Sequence, residues 1–109
     1  VKINNISEMI GGWFVGDFEE SAYRTSDFEV AYKFHEKGEE WPTHYHEKLT
    51  EINFIIRGEM SVQEKILKDG DIFTLSPYEV ADPVFLKDTE MIVVKTPSVP
   101  GDKVIVSSE

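Results

Sequence analysis

The apolar residues of this chain come in short runs parted by turn formers, and no stretch carries the spacing of a long helix. That pattern limits the fold more than any other feature. Runs at 13–15, 28–35, 43–47, 51–57, 60–66, 71–75, 83–86, 90–95 and 103–106 are rich in β-branched and aromatic residues. Nine strands with short connections in 109 residues predict antiparallel sheets closed into a barrel-like sandwich. Gly58 and Gly70 mark tight reversals between apolar runs, and Lys87, Asp88 and Thr89 mark a third. The one helical signal is a turn or two at 7–10, with Ser7 as its N-cap. No linker or repeat interrupts the chain, and its length suits one core, so a single domain over residues 1–109 is expected.

Charge narrows the partners. Eleven basic against twenty-one acidic residues give a formal charge of −10, which repels nucleic acid and anionic membrane surfaces. The absence of cysteine rules out disulfides, thiolate ligands and cysteine nucleophiles. With no apolar signal at the start and no run long enough to cross a bilayer, a cytoplasmic protein is expected.

Against this background the stretch from Gly38 to Gly58 stands out, because it holds two of the three histidines. On an extended strand His44 and His46 share one face, with α-carbons roughly 6.5–7 Å apart, a spacing that suits one metal ion. After four intervening residues Glu51 opens the next run, where an antiparallel neighbour brings its carboxylate beside the pair. Imidazole and carboxylate together suit Mn, Fe, Co, Ni or Zn.

Gly38, His44, His46, Glu51 and Gly58 resemble the first signature of the cupin family: glycine, five residues, His-x-His, three or four residues, glutamate, six residues, glycine. The second signature, glycine, five residues, Pro-x-Gly, two residues, histidine, is degenerate at 70–82. There six residues separate Gly70 from Pro77, Glu79 stands for the second glycine and Asp82 for the histidine. The resemblance implies an all-β double-stranded β-helix, or jelly-roll barrel. It also implies one divalent metal held by His44, His46 and Glu51, with Asp82 as a fourth ligand.

Function follows less directly. The resemblance implies an enzyme acting on a small polar metabolite, isomerase- or epimerase-like. A non-haem Fe(II) oxygenase and a non-catalytic ligand-binding or sensor protein are the alternatives. On the run 51–57, Asn53 shares the Glu51 face, where it would orient a ligand or touch substrate. The opposite face carries Ile52, Phe54 and Ile56 and is expected to be covered by a second copy in a homodimer, or by an N-terminal arm with Trp13 and Phe14. Tyr32, Lys33 and His35 are the candidate proton carriers. His35 nevertheless reads as solvated, because it shares a face with Glu29, Ala31 and Lys33 while Phe28, Val30, Tyr32 and Phe34 occupy the other. Trp41, Arg57 and Tyr78 lie near strand ends, where core packing or surface cover is expected and a pocket mouth is the alternative.

Overall fold

β-Branched residues are densest near 50–57 and 89–96, and the two longest strands form there, paired antiparallel in the interior of a six-stranded sheet. The computed structural model describes residues 1–106, so the expected domain end at 109 lies outside them. Among the described residues are eleven strands: β1 (Trp13–Gly16), β2 (Tyr23–Arg24), β3 (Glu29–His35), β4 (His44–Tyr45), β5 (Thr50–Arg57), β6 (Glu59–Val62), β7 (Lys65–Lys68), β8 (Ile72–Leu75), β9 (Val84–Phe85), β10 (Thr89–Thr96) and β11 (Val104–Ile105). The large sheet has the order β2-β1-β3-β10-β5-β8; β7-β6-β9 and β11-β4 form two smaller sheets. Isolated bridges, Glu40 to Val84 and His44 to Ala81, extend the two smaller sheets. Among the described residues no helix is long and apolar enough to cross a membrane.

The core lies between the large sheet and β6 and β9. Ala31, Ile55, Met91 and Val93 project from β3, β5 and β10 and meet Met60 and Phe85 from the smaller sheet. Met91 pairs with Ile55 and Val93 with Ala31, so these inward side chains form cross-strand rows. Gly58 is where the chain leaves the large sheet for the small one, not the hairpin reversal expected from sequence. Its φ is 126°, and a Cβ there would sit 2.6 Å from the Thr89 α-carbon, so both conformation and space require glycine.

Three local expectations are corrected. The run 60–66 is not one strand; it folds back at Gln63 and Glu64, both at positive φ (50° and 63°), so that Val62 pairs with Lys65. The helical signal is a single 3₁₀ turn, Ile6–Glu8, capped by Asn5 in place of Ser7, with the Glu8 carboxylate accepting the Asn5 N–H in return. The third correction concerns Trp13, which packs against the core and so does not cover the outer face of β5. That face remains open, with Phe54 and Ile56 exposed beside the exposed Ile72 of β8 and Phe34 of β3.

Candidate metal centre

Strand parity and one long-range hydrogen-bond clamp build the site. In β5 the inward series is Glu51, Asn53 and Ile55, the parity expected from sequence. His44 lies on β4, its backbone paired with Ala81 on one side and with Ile105 of β11 on the other. His46 follows directly after β4. The three donor residues, His44, His46 and Glu51, offer ligand atoms that all lie within 4.8 Å of one another.

Hydrogen bonds fix which ring atoms are available. The Nδ1 of His44 is 2.8 Å from the Pro42 carbonyl, and the Nδ1 of His46 is 2.5 Å from the Asp102 carbonyl. A carbonyl can only accept, so both Nδ1 atoms carry the proton, and in the neutral rings both Nε2 atoms present lone pairs. The Nε2 of His46 then faces Glu51 Oε2 at 2.7 Å. Two lone-pair donors that close repel unless positive charge lies on or between them, as a proton on His46 or a cation held by both groups. Burial lowers the His44 pKa from its ordinary value, which favours the neutral ligand form. For Glu51, burial would raise the carboxyl pKa, but the His46 hydrogen bond and the Lys95 charge prevail and hold it low. The donor set therefore fits a divalent metal: two neutral imidazoles and one ionised carboxylate, each imidazole oriented from behind by a backbone carbonyl.

Asp102 holds this arrangement together. Its carboxylate accepts the N–H groups of Glu47 at 3.0 Å, Lys48 at 2.9 Å and Leu49 at 3.1 Å, while its carbonyl accepts from His46. One residue thus positions His46 and the loop that leads from it to Glu51. Burial alone would raise the Asp102 pKa; the three N–H donors outweigh it and lower it. Sequence reasoning missed Asp102, because nothing local links it to a ring 56 positions away.

The remaining candidates divide. Asn53 is 2% exposed, lines the cavity, and its Nδ2 has no hydrogen-bond partner among the described residues. His35 is buried and lines the same cavity, correcting the expectation of a solvated ring. It stacks on Phe85 at 4.2 Å and meets Trp41 edge-on at 5.6 Å, while its Nδ1 lies 2.5 Å from Glu39 Oε2. The face of β3 that looked polar is thus the inward one. Tyr32 lies on the other face, donates to Glu90, and does not line the cavity. Asp82 is not brought to the cluster either; its carboxylate accepts the Gln63 N–H at 2.7 Å. The inward position is Ala81, one residue earlier, and a one-residue slip in extended chain turns a side chain to the opposite side. Trp41 lines the cavity, whereas Arg57 pairs with Glu90 and Tyr78 packs near Tyr45, both outside it.

The cavity measures about 330 Å³ and has an apolar wall that includes Met60, Phe73, Phe85 and Met91. Lys33, Lys95, Lys103, Trp13 and Trp41 also line it.

No protein-family model matches the chain, and no curated protein matches its sequence. Solved structures do match. An uncharacterised conserved protein with a double-stranded β-helix domain from Klebsiella pneumoniae superposes with a TM-score of 0.72 at 20% identity, over 96% of this chain and 91% of that one. KdgF from Halomonas sp. gives 0.64 at 22% identity, over 69% and 74% of the two chains. The nucleoside dehydratase Pac13 from Streptomyces gives 0.64 at 14% identity, over 75% and 70%. Proteins described as cupins also match, and the fold is the double-stranded β-helix of the cupins.

Proposed function

We propose that this chain is a divalent-metal enzyme that moves a proton on a small polar metabolite, as an isomerase, an epimerase or a dehydratase. The observation that carries this reading is the presence in one cavity of the His44, His46 and Glu51 donor set and of His35 backed by Glu39. A divalent cation held by the three donors supplies Lewis-acid polarisation of a carbonyl or hydroxyl oxygen. The chain's own residues do the rest.

The Nδ1–H of His35 donates to Glu39, which leaves Nε2 as the basic atom, and the carboxylate stabilises the imidazolium formed when that atom takes a proton. Glu39 is itself ionised and held, because the Trp41 indole N–H donates to it and lowers its pKa. Phe85 and Trp41 fix the ring plane. Removal of a proton beside a carbonyl is the first step shared by isomerisation, epimerisation and β-elimination. The matched nucleoside dehydratase supports including elimination in the class.

The test uses metabolites that raise the melting temperature of metal-loaded protein, incubated in D₂O and followed by NMR. Metal-dependent deuterium incorporation at a carbon, lost in His35→Gln, supports the reading. Turnover with oxygen consumption and no deuterium uptake contradicts it. A second reading, a non-haem Fe(II) oxygenase, is favoured by one observation: two histidines and one carboxylate without Asp82 are the donor set that leaves coordination positions open for oxygen. An oxygen electrode separates the two. A non-catalytic sensor would bind metabolite with neither outcome.

A further inference from the structure

Lys33, Lys95 and Lys103 reach the cavity from β3, β10 and the segment just before β11. In a chain with nearly two acids for every base, lysines ordinarily find carboxylates. Among the described residues, none of these three has one within ion-pair distance. Lys95 is the sharpest case. Its register partners on the two flanking strands are Glu29 and Glu51. Yet Glu29 accepts from the Ser98 hydroxyl at 2.8 Å and Glu51 engages His46.

The ammonium groups rest on indole rings instead. Lys33 and Lys95 lie 5.3 and 4.7 Å from the Trp13 ring centroid, and Lys103 lies 5.1 Å from that of Trp41. Burial, followed by repulsion from Lys95, lowers the pKa of both Lys33 and Lys103, and the more distant Glu51 charge offsets this only in part, so the cluster holds like charges that no carboxylate contacts. Beside it, Asn53 offers an unpartnered amide donor that is 2% exposed. A buried donor without an acceptor and a group of cations without a contacting carboxylate share one need, an incoming oxyanion.

We propose that the ligand of this cavity is a small organic carboxylate, its carboxylate received by Lys33, Lys95 and Lys103 and a second oxygen by the Asn53 amide. Building on the proposed function, this makes the substrate a hydroxy or oxo acid and not a neutral sugar. A cavity of about 330 Å³ is at the small end for ligand sites and suits a molecule of a few carbons. Trp13 and Trp41 flank its carbon skeleton, and a cation held by His44, His46 and Glu51 would receive its hydroxyl or carbonyl oxygen. The strongly acidic remainder of the chain repels bulky polyanions, so the basic cluster favours a small ligand.

The chain's two tryptophans are Trp13 and Trp41, so tryptophan fluorescence, excited selectively over the four tyrosines, reports on this site. Full-length protein is titrated with gluconate, malate, inorganic phosphate and glucose, with and without Mn²⁺. Saturable quenching by gluconate or malate, absent with glucose and weaker with phosphate, is expected. Each of Lys33→Gln and Lys95→Gln should weaken it by roughly tenfold or more, the loss of a charge-assisted contact. Removing one of several like charges should leave the melting temperature of the ligand-free protein unchanged or raised, which separates lost binding from lost folding. Quenching by glucose equal to that by gluconate, a stronger response to phosphate, no response to either carboxylate, or full carboxylate affinity in both lysine variants would overturn the proposal. Mn²⁺ binding is read independently by calorimetry. Loss of metal binding with carboxylate quenching intact would sink the metal-enzyme reading and leave this one standing.

Discussion

Replacing Asp102 with alanine removes the acceptor of three backbone N–H groups while leaving its own carbonyl in the chain. Two of the three donors, on Glu47 and Lys48, belong to exposed residues and regain water; the third belongs to Leu49, which is 1% exposed. A stranded buried N–H costs about 1–3 kcal/mol, and the two exposed ones add little. A loss of about 2 kcal/mol is therefore expected, or a drop in melting temperature of roughly 10 °C for a domain of this size. The loop between His46 and Glu51 also loses its anchor, so metal affinity should fall by roughly 10–100-fold, as for other groups that orient ligands from behind. Thermal denaturation and metal titration of the same variant read both effects. The pH dependence follows from the same carboxylate. Its pKa is lowered in the folded chain, so its contribution is full above the ordinary value of 3.8 and is lost as pH falls through the folded value. In the alanine variant that part of the acid transition should vanish. A melting temperature within about 2 °C of the parent, together with unchanged metal affinity, would refute the clamp.

Asp82→Ala should leave metal affinity unchanged and cost little stability, because the exposed Gln63 N–H regains water; a large loss of metal would return Asp82 to the ligand set. In metal-free protein, burial keeps the His44 pKa below its ordinary 6.5, so the unfolded chain binds that proton first. Stability is then full above about pH 6.5 and declines as pH falls, a slope that His44→Ala should flatten and an unaltered slope would contradict. The open outer face of β5 and its neighbours presents Phe34, Phe54, Ile56 and Ile72 around the Arg57–Glu90 ion pair, an apolar surface of the kind that marks an interface. Sedimentation should give a dimer that Phe54→Lys dissociates, whereas a monomer at all concentrations would show that the face stands alone.

The inward face of β5 was legible because the motif ties Glu51 to the histidines, and period two then carries Asn53 and Ile55 with it. On β3 the same reasoning chose the wrong face. A strand that lines a polar cavity while its other side forms an open apolar surface inverts the usual rule that the apolar face is buried, and no local signal marks the inversion. The Gln63-Glu64 reversal was illegible for a simpler reason. Both residues take positive φ without the glycine or asparagine that advertises such a turn. Asp82 was misplaced by counting along a degenerate motif, where a single residue decides which side of the chain meets the cavity. Asp102 and the grouping of the lysines on the tryptophans rest on contacts between distant segments, which only the folded topology brings together.

The central claim is that His44, His46 and Glu51 hold one divalent ion. The most direct measurement is calorimetric titration of metal-stripped, untagged protein with Mn²⁺ and Zn²⁺, alongside Glu51→Gln. One equivalent bound by the parent, with affinity reduced at least tenfold in the variant, is the predicted result. No saturable binding, or equal binding by parent and variant, would contradict it.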